Sequence, residues 1–434
     1  KYPGIRSDSD MSTMGYEFKP WTEPAYLADG PSIKAYIKET AQEYDVPSHI
    51  HYGLKAMKSE WSSEEKLWTV TTLNEATGET QQWKAKFTVG CTGYYNYDQG
   101  YRPDFAGEAD FKGQIIHPQQ WPEDLDYANK HVVIIGSGAT AVTLVPAMAD
   151  KAASVTMLQR SPTYVVSVPS VDPAHSFLSS FLSEERVYKM SRARNIFIQR
   201  ALYWASKKFP SLVKGILLKL ARKQLKGKVD MKHFTPHYNP WDQRLCAVPN
   251  GDLFKALRSD KAQIVTDHID KFTENGILLK SGQELKADII VTATGLKIQM
   301  LGGGQVFVDG KQVNPSELMT YKGVLVQDMP NAAVIFGYSN SSWTLKADLA
   351  QNYICRVLKH MDEKGYKMAI PVDDEGCITE HSVFGELSSG YIARAKDEII
   401  KQGSKAPWKV DHNVYKDRDI LLEQPVAEEH LKFS

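Results

Sequence analysis

The sequence predicts an α/β fold, because three apolar runs typical of buried strands each end in glycine. His131–Ile135 runs into a glycine turn and then into a helix-compatible stretch. Two other runs, Phe87–Gly93 and Asp288–Gly295, end in a Thr-Gly pair that lets a chain pass close beside a nucleotide. Parallel strands buried on both faces have such uninterrupted apolar sequences. We therefore predict two Rossmann-like dinucleotide-binding domains, one of which carries a helical insert.

The composition predicts a globular protein of two or more domains. A chain of 434 residues is too long for one compact core. Its 52 basic residues balance its 52 acidic ones, so no overall charge attracts nucleic acid, and no nucleic-acid partner is predicted. The four cysteines are scattered and no basic-apolar leader opens the sequence, which favours a reducing, cytoplasmic location. No metal site is predicted.

The glycine turn has the composition of a dinucleotide fingerprint. In this pattern the first glycine permits the turn, the second lets the backbone approach a pyrophosphate, and a small third residue allows close helix packing. The phosphates would lie at the positive end of the helix. The alternative is an ordinary glycine turn in a βα unit. We assign six residues to the fingerprint: Gly136, Ser137, Gly138, Ala139, Thr140 and Ala141.

The strand after the fingerprint predicts the choice of nucleotide. Residues 154–158 run into Gln159, Arg160 and Ser161 instead of the acidic residue that binds a free ribose 2′-hydroxyl. A cation at this position suits a 2′-phosphate, so Arg160 and Ser161 indicate NADPH. The alternative for Arg160 is a solvated side chain. Thr294 and Gly295 end the later strand, and we assign them to the same nucleotide.

A further pattern lies between the two Thr-Gly strands, at residues 111–122. Its specified residues are Phe111, Gly113, His117, Trp121 and Pro122. The segment matches FxGxxxHxxxWP and resembles the linker motif of Baeyer-Villiger monooxygenases, and the Trp-Pro ending favours that branch over other flavin-containing monooxygenases. The resemblance runs over the whole chain, which is similar to the ethionamide-activating type of these bacterial class B flavoprotein monooxygenases. We interpret His117 as a hydrogen-bonded hinge residue.

The resemblance implies two cofactors, FAD and NADPH, and a domain arrangement. The FAD-binding domain would comprise residues 1–121 and 301–434, the linker 122–130, the NADPH-binding domain 131–170 and 240–300, and the basic helical insert 171–239. The family opens with a strand, a glycine turn and a helix for FAD, and we expect this first βαβ unit to be missing here. The residues implied in FAD binding are Arg6, Asp8, Thr92, Gly93, Trp343 and Leu345.

The resemblance also implies a reaction and two catalytic residues. Arg244 would stabilise negative charge that develops during oxygen insertion, and Asp8 would orient the guanidinium. The implied reaction uses NADPH, FAD and O2 to insert one oxygen atom into ketones, giving esters, and also oxygenates sulfides. Two alternatives stay open: a flavin-dependent S- or N-oxygenase, and a FAD-deficient fragment that binds NADPH without turnover. The residues alone would equally fit a surface ion pair at Arg244 and a solvated turn at Asp8.

The insert is strongly basic. Residues 186–232 contain fourteen Lys or Arg and one acidic residue, Asp230, so this stretch carries +13 in a chain of net zero charge. Leucines are combined with basic residues at helical spacing, as in helices that lie on membrane surfaces. Two interpretations stay open: solvated cationic faces that help attract an anionic cofactor, and peripheral membrane contact.

Overall fold

The computed structural model describes residues 1–385, 387 and 389–434, which divide into two compact units. Unit 1 comprises Lys1–Ser12, Pro20–Ile37 and Tyr97–Lys297. Unit 2 comprises Thr13–Lys19, Lys38–Asn96 and Ile298–Ser434. Residues predicted for the FAD-binding domain therefore fall in both units. The domains predicted from the sequence are defined by the cofactor that each would bind, and the two units are defined by compactness alone. The predicted domain boundaries therefore stay predictions.

The helices alternate with strands along most of the chain. Within the described residues the α-helices are, in chain order, α1 (Met11–Met14), α2 (Gly30–Glu43), α3 (Ala139–Met148), α4 (Pro173–Leu178), α5 (Glu184–Lys208), α6 (Pro210–Leu225), α7 (Asp252–Arg258), α8 (Trp343–Lys364), α9 (Gly390–Arg394) and α10 (Val414–Arg418).

The strands of the same residues are short, and most have three to six residues. They are β1 (Leu54–Ser62), β2 (Leu67–Asn74), β3 (Thr80–Ala85), β4 (Thr88–Gly90), β5 (Gln114–Ile116), β6 (His131–Ile135), β7 (Ser154–Gln159), β8 (Val165–Val168), β9 (Cys246–Pro249), β10 (Ala262–Thr266), β11 (Ile269–Thr273), β12 (Gly276–Leu279), β13 (Glu284–Lys286), β14 (Ile289–Thr292), β15 (Gln305–Val308), β16 (Lys311–Gln312), β17 (Thr320–Tyr321), β18 (Leu325–Val326), β19 (Ala332–Val334), β20 (Ala369–Pro371), β21 (Ile378–Ser382), β22 (Lys401–Gly403) and β23 (Leu431–Phe433).

Unit 1 is built on a five-stranded parallel sheet in the order β10-β7-β6-β14-β5. The first four strands of that order follow the 3-2-1-4 pattern of a Rossmann half. The strands all run in the same direction, and the order in which the chain adds them to the sheet reverses between β6 and β14. A three-stranded antiparallel sheet, β11-β12-β13, accompanies it. The sequence's prediction of an α/β fold is confirmed. The expectation that a first βαβ unit is missing stays a prediction.

Strand β6 is apolar throughout because both faces of the parallel sheet are covered. Val132 and Ile134 pack into a cluster with helices α3 and α7, and Val133 and Ile135 pack into a second cluster with the β11–β13 sheet. Successive side chains of a strand point to opposite faces, so a strand buried on both sides needs an apolar residue at every position. The predicted strand, glycine turn and helix are confirmed as β6, residues 136–138 and α3.

The helical insert lies within unit 1 and is confirmed as helical by α5 and α6. Helix α6 packs one face against the unit 1 core through Ala221 and Leu225. Val213 and Leu217 of the same helix pack against Tyr164, which precedes β8. The insert is therefore anchored by one face of α6.

Unit 2 contains a five-stranded sheet, β16-β15-β1-β2-β3, and a four-stranded sheet, β17-β18-β19-β4. In the second sheet β4 pairs in parallel with β19, and Phe87 beside β4 packs into the cluster that also contains helix α8 residues. Trp61 and Trp68 face each other across β1 and β2 and are fully buried. The long amphipathic helix α8 buries Tyr353 and Val357 in the core of this unit.

A buried polar network lies beside the start of α8. The Tyr338 hydroxyl donates to Asp417 Oδ2 at 2.7 Å, and the Lys346 ammonium lies 3.0 Å from the same oxygen. His412 Nε2–H donates to the Val383 carbonyl oxygen at 2.8 Å. Burial lowers the pKa of His412 to about 4, with the nearby Lys346 charge acting in the same direction and Asp417 acting against it. The imidazole is therefore held neutral in the folded protein.

We expect His412 to make the stability of unit 2 fall in acid. Its folded pKa is about 4 and lies below the unfolded value of about 6.5, so the neutral ring contributes fully above pH 6.5. That contribution, about 3 kcal/mol, is lost as the pH falls from 6.5 to 4. The measurement is the free energy of unfolding from urea titrations at several pH values, for the natural chain and for His412→Gln. Equal pH dependence in the two proteins would contradict the assignment.

Candidate functional site

The glycine turn lies at the carboxyl ends of β6 and β14, where the strand order of the unit 1 sheet reverses. The Gly136 amide donates to the Leu158 carbonyl oxygen at 2.8 Å, which fixes the turn against the end of β7. Gly136 has a φ of 140°, and a Cβ there would lie 2.3 Å from the Ala293 carbonyl oxygen. Open α/β sheets bind ligands at this crevice. The backbone conformation and the close Ala293 carbonyl oxygen therefore require glycine at position 136.

The other fingerprint residues divide into an open turn and a buried helix. A Cβ at Gly138 would have no heavy atom within 4 Å, so space is open beside this residue. Gly138 and Ala139 are exposed, Ser137 and Thr140 are half-buried, and Ala141 is fully buried beneath the helix. Helix α3 begins at Ala139, so its unsatisfied amides face the open turn. This is the cradle that a pyrophosphate needs.

Arg160 and Ser161 follow β7 at the same edge of the sheet. The preceding Gln159 is buried, and its amide donates to the His233 carbonyl oxygen and to the Thr266 hydroxyl, each at 2.8 Å. Arg160 is exposed and Ser161 is half-buried. Since Ile135 pairs with Leu158, the residues after β7 are neighbours of the glycine turn. The two predicted 2′-phosphate residues are thus brought to the fingerprint.

Thr294 and Gly295 hold the chain that precedes the linker motif. The Thr294 hydroxyl donates to the Tyr101 carbonyl oxygen at 2.6 Å, and the Gly295 carbonyl oxygen accepts from the Tyr101 amide at 3.0 Å. His117 Nε2–H donates to the same Gly295 oxygen at 3.1 Å, while its Nδ1 accepts from the Gln119 amide at 3.2 Å. Burial lowers the pKa of His117, so the ring is neutral with its proton on Nε2. These bonds occupy both ring nitrogens.

The remaining linker-motif residues pack around the start of β14 and the core. Phe111 makes an edge contact with Phe272, with ring centroids 6.3 Å apart. A Cβ at Gly113 would lie 2.3 Å from the Asp288 carbonyl oxygen and 2.5 Å from the Phe111 ring. Trp121 is half-buried against the unit 1 core, and Pro122 is exposed. The motif therefore contacts the chain at both ends of β14, through Gly113 at Asp288 and through His117 at Gly295.

The N-terminal segment packs along the fingerprint helix within unit 1. The Tyr2 hydroxyl hydrogen-bonds to Thr140, and burial raises its pKa. A Cβ at Gly4 would lie 2.7 Å from the Ala147 Cβ, so α3 and this segment are in close contact. Asp8 is exposed and lies close enough to Cys246 for its charge to act on that thiol. The segment thus connects the fingerprint helix to strand β9.

Cys246 begins β9, two residues after Arg244, and links the predicted catalytic residues to the glycine turn. Its sulfur lies 4.0 Å from the Ser137 carbonyl oxygen. Burial, and then the Asp8 charge, raise the pKa of Cys246 to about 12, so the thiol stays protonated. Arg244 itself is half-buried. The structure therefore brings the strand after Arg244 to the fingerprint, and Asp8 belongs to the N-terminal segment that packs along α3.

Arg6 takes a different position in unit 1. Its guanidinium makes a two-pronged ion pair with Asp252, with nitrogen-oxygen distances of 2.5 and 3.3 Å. Asp252 lies in the first turn of α7, where a carboxylate is also favoured by the helix dipole. The nearby Asp10 is buried and accepts from the amides of Asn195 and Gln199, each at 2.7 Å.

The other four residues predicted to bind FAD lie in unit 2. Thr92 and Gly93 follow β4, and Gly93 has a φ of 67°. The next residue, Tyr94, contacts Trp343 at the start of α8, with ring centroids 4.9 Å apart. Leu345 is buried in the first turn of that helix. Of the six residues, Arg6 and Asp8 thus belong to unit 1 and the rest to unit 2.

Several residues that shape these regions were missed from the sequence. A Cβ at Gly100 would lie 1.9 Å from the His117 ring, and one at Gly337 would lie 2.3 Å from the Trp343 ring. Tyr2 and Cys246 approach the fingerprint. Gly100 lies 17 residues before His117 and Gly337 six residues before Trp343, so no adjacent pattern in the sequence indicates this close packing.

We expect Gly138→Ala and Gly136→Ala to separate binding from folding. At Gly138 a methyl group has room, so the urea midpoint stays unchanged, but the methyl fills the space where a pyrophosphate would approach. The Kd for NADPH should rise about tenfold or more. Gly136→Ala should lower the urea midpoint, because its methyl meets the Ala293 carbonyl oxygen.

Gly215→Ala is the matched control for these two variants. Gly215 is an exposed residue in the interior of α6 with open space around it. Alanine there should raise stability by about 0.5–1 kcal/mol and leave NADPH affinity as it is. An unchanged NADPH affinity in Gly138→Ala would contradict the assignment of the turn.

Proteins of similar sequence carry consistent names. The chain is 55% identical to the MymA protein of Mycobacterium tuberculosis over 438 residues, covering all of this chain and 88% of that protein. It is 56% identical to the AlmA protein of Acinetobacter baylyi over 422 residues, covering 97% and 84%. It is 50% identical to the FAD-containing monooxygenase EthA of Mycolicibacterium smegmatis over 436 residues, covering 100% and 88%.

Solved structures share the fold at low identity. An oxidised steroid monooxygenase bound to NADP superposes with a TM-score of 0.75 at 19% identity, covering all of this chain and 91% of that chain. Open cyclohexanone monooxygenase superposes with a TM-score of 0.69 at 18% identity, covering 86% and 81%. The model of the flavin-binding monooxygenase-like family matches residues 7–370, most of the chain. The family predicted from the sequence is confirmed, and the chain belongs to the flavin-binding monooxygenase-like family.

Proposed function

We propose that the chain is an NADPH- and FAD-dependent Baeyer-Villiger monooxygenase that inserts one oxygen atom of O2 into ketones to give esters and also oxygenates sulfides. One observation carries the proposal: the dinucleotide turn and the strand after Arg244 converge in unit 1, where the Cys246 sulfur lies 4.0 Å from the Ser137 carbonyl oxygen. The names of the relatives support an FAD-containing enzyme. The steroid monooxygenase of similar fold, which was solved with bound NADP, supports NADP as the second cofactor.

The geometry of unit 1 fits NADPH. The open space at Gly138 admits a pyrophosphate, and the first amides of α3 face it. Exposed Arg160, beside half-buried Ser161, supplies the cation that a 2′-phosphate requires. We propose residues 131–170 and 240–300 as the NADPH-binding domain, joined by the 122–130 linker and carrying the 171–239 insert.

The residues of unit 2 fit part of an FAD molecule. Thr92 and Gly93 follow a parallel strand, Gly93 has a positive φ, and the half-buried Trp343 ring contacts Tyr94. This turn opens no helix, so it has no glycine-rich phosphate cradle of its own. We therefore propose residues 1–121 and 301–434 as the FAD-binding domain and assign Thr92, Gly93, Trp343 and Leu345 to the flavin side. Bound flavin, once reduced, would supply the oxygen-inserting chemistry.

Arg244 is the residue we propose to act on the substrate. A guanidinium cannot lose its proton at neutral pH, so it can hold negative charge that develops on a ketone oxygen. A carboxylate oriented toward it would fix its direction, and Asp8 is the candidate in the same unit. His117 is proposed to have a positioning role, because its neutral ring bonds to Gly295 and Gln119 through both nitrogens. We assign no proton transfer to His117.

We expect Arg160→Ala to change cofactor selectivity. A charge-assisted bond to a 2′-phosphate contributes about 1.5–3 kcal/mol, so the Kd for NADPH should rise about tenfold or more while that for NADH changes little. Fluorescence titration with both nucleotides gives the ratio. Arg418→Ala, which removes an exposed arginine from α10, is the control. Equal loss of affinity for both nucleotides would point to a role other than 2′-phosphate recognition.

We expect Arg244→Lys to lose ketone oxygenation by about a hundredfold or more, because an ammonium lacks the fixed planar donors of guanidinium. NADPH affinity should change less than about threefold. Product analysis with a ketone and a thioether, assayed side by side, checks both statements. Arg222→Lys, at an exposed position of α6, is the control. Undiminished ester formation by Arg244→Lys would exclude the proposed role.

The same assay separates the two other interpretations. Sulfoxide without any ester would support a flavin-dependent S- or N-oxygenase. A colourless preparation without NADPH oxidation would support a chain that binds NADPH without turnover. Peripheral membrane contact through residues 186–232 is a separate proposal that depends on none of these outcomes.

A further inference from the structure

Helix α6 has two apolar rows, and only one of them is used by the fold. Its buried row, Val213, Leu217, Ala221 and Leu225, anchors the insert. A second row, Leu212, Ile216 and Leu220, repeats every four residues and is between 50% and 64% exposed. Residues four apart share one helix face, so these three form a continuous stripe. Nothing in the packing of unit 1 accounts for this stripe.

Helix α5 carries a matching stripe. Met190, Phe197 and Trp204 are seven residues apart, on one face of the helix, and are between 50% and 64% exposed. Trp204 contacts Phe209, which lies between α5 and α6, with ring centroids 5.8 Å apart. We call these residues the insert surface: Met190, Phe197, Trp204, Phe209, Leu212, Ile216 and Leu220.

Cations accompany the insert surface. The Lys208 ammonium lies 4.9 Å from the Trp204 ring centroid and 5.5 Å from that of Phe209. On α6, Lys219 and Lys223 lie on the same face as the exposed stripe. Five basic residues of the insert make no ion pair within the described part of the chain: Lys219, Arg222, Lys223, Lys226 and Lys228. The surface therefore combines apolar side chains with an uncompensated positive charge.

Exposed apolar side chains surrounded by cations match the interface of an anionic bilayer. Interfacial helices bury an apolar face just below the headgroups and keep Lys and Arg beside lipid phosphates. Tryptophan prefers the same boundary. None of the helices in the described residues has both the length and the hydropathy of a bilayer-spanning segment. Two more exposed rings, Phe177 and Phe181, are in contact nearby in the chain, with centroids 5.5 Å apart.

We propose that the insert surface docks unit 1 on an anionic lipid bilayer. Charge complementarity identifies the occupant: the stretch 186–232 carries +13, and an anionic headgroup layer supplies the opposite charge. Leu, Ile, Met and Trp at the centre of the surface need an apolar medium beneath the charge, which nucleic acid lacks. Docking on a bilayer would determine only where the protein lies, and it does not depend on the proposed oxygenation reaction.

Vesicle flotation with the full chain tests the proposal. The probes are phosphatidylcholine vesicles with and without about one third phosphatidylglycerol, at low and high salt. The chain should float with the anionic vesicles, and high salt should weaken this binding. Trp204→Ser with Leu212→Ser should reduce binding about tenfold or more at unchanged urea midpoint. Tyr52→Ser, at an exposed aromatic of unit 2, is the apolar control and should bind as the natural chain does.

A second double variant tests the electrostatic contribution of the insert surface to vesicle binding. Lys219→Glu with Lys223→Glu should reduce binding about 25-fold or more, since each cation near an anionic surface contributes about fivefold. Lys271→Glu with Lys311→Glu makes the same change of net charge at exposed positions outside the insert. That control pair should retain most of the binding. Equal loss in both pairs would show a general charge effect and overturn the proposal.

Insertion depth gives a measurement that does not depend on affinity. Lipids brominated near the headgroup should quench tryptophan fluorescence of the bound chain, and Trp204→Phe should bind equally but lose most of that quenching. Absence of flotation at low salt would overturn the proposal. The proposal would also be overturned if the natural chain sedimented as a dimer and the Trp204→Ser, Leu212→Ser double variant sedimented as a monomer with unchanged vesicle binding, because the surface would then join two copies of the chain.

Discussion

The parallel pairing of β6 with β14 is the constraint on which the organisation of unit 1 depends. The register places Ile135 beside Thr292, so both strands end at the same level. Gly136 then meets the Ala293 carbonyl oxygen, and a side chain at Gly136 is excluded. Beyond β14, Thr294 and Gly295 fasten the 97–101 segment and His117. A single pair of strands thus fixes both the nucleotide cradle and the position of the linker motif.

Local features of this arrangement could be predicted from the sequence, because they depend on neighbours in the chain. Strand β6, the turn at Gly136 and helix α3 form one contiguous signal of apolar run, glycine and helix former. The linker motif was recognised by its spacing. The physical reason for Gly113, which faces the Asp288 carbonyl oxygen, needed the structure, because the two residues are brought together by the pairing of β5 with β14.

Long-range partners could not be predicted, since nothing in a single sequence reports which charged groups meet. Arg6 and Asp252 form an ion pair across 246 positions, and no local pattern at either residue indicates it. Cys246 looked like an isolated cysteine, yet its burial beside Ser137 makes it part of the wall of the turn. The second apolar row of α6 was visible as leucines at helical spacing, but only burial separates the row that holds the insert from the row that faces outward.

The interleaving of the two units has a consequence for how the protein is made. The chain passes between the units at five points: 12/13, 19/20, 37/38, 96/97 and 297/298. During synthesis β6 emerges long before β14, so the central strand pair of unit 1 is completed only after the helical insert and strands β7 to β13 have been made. Until then the apolar edge of β6 lacks its partner.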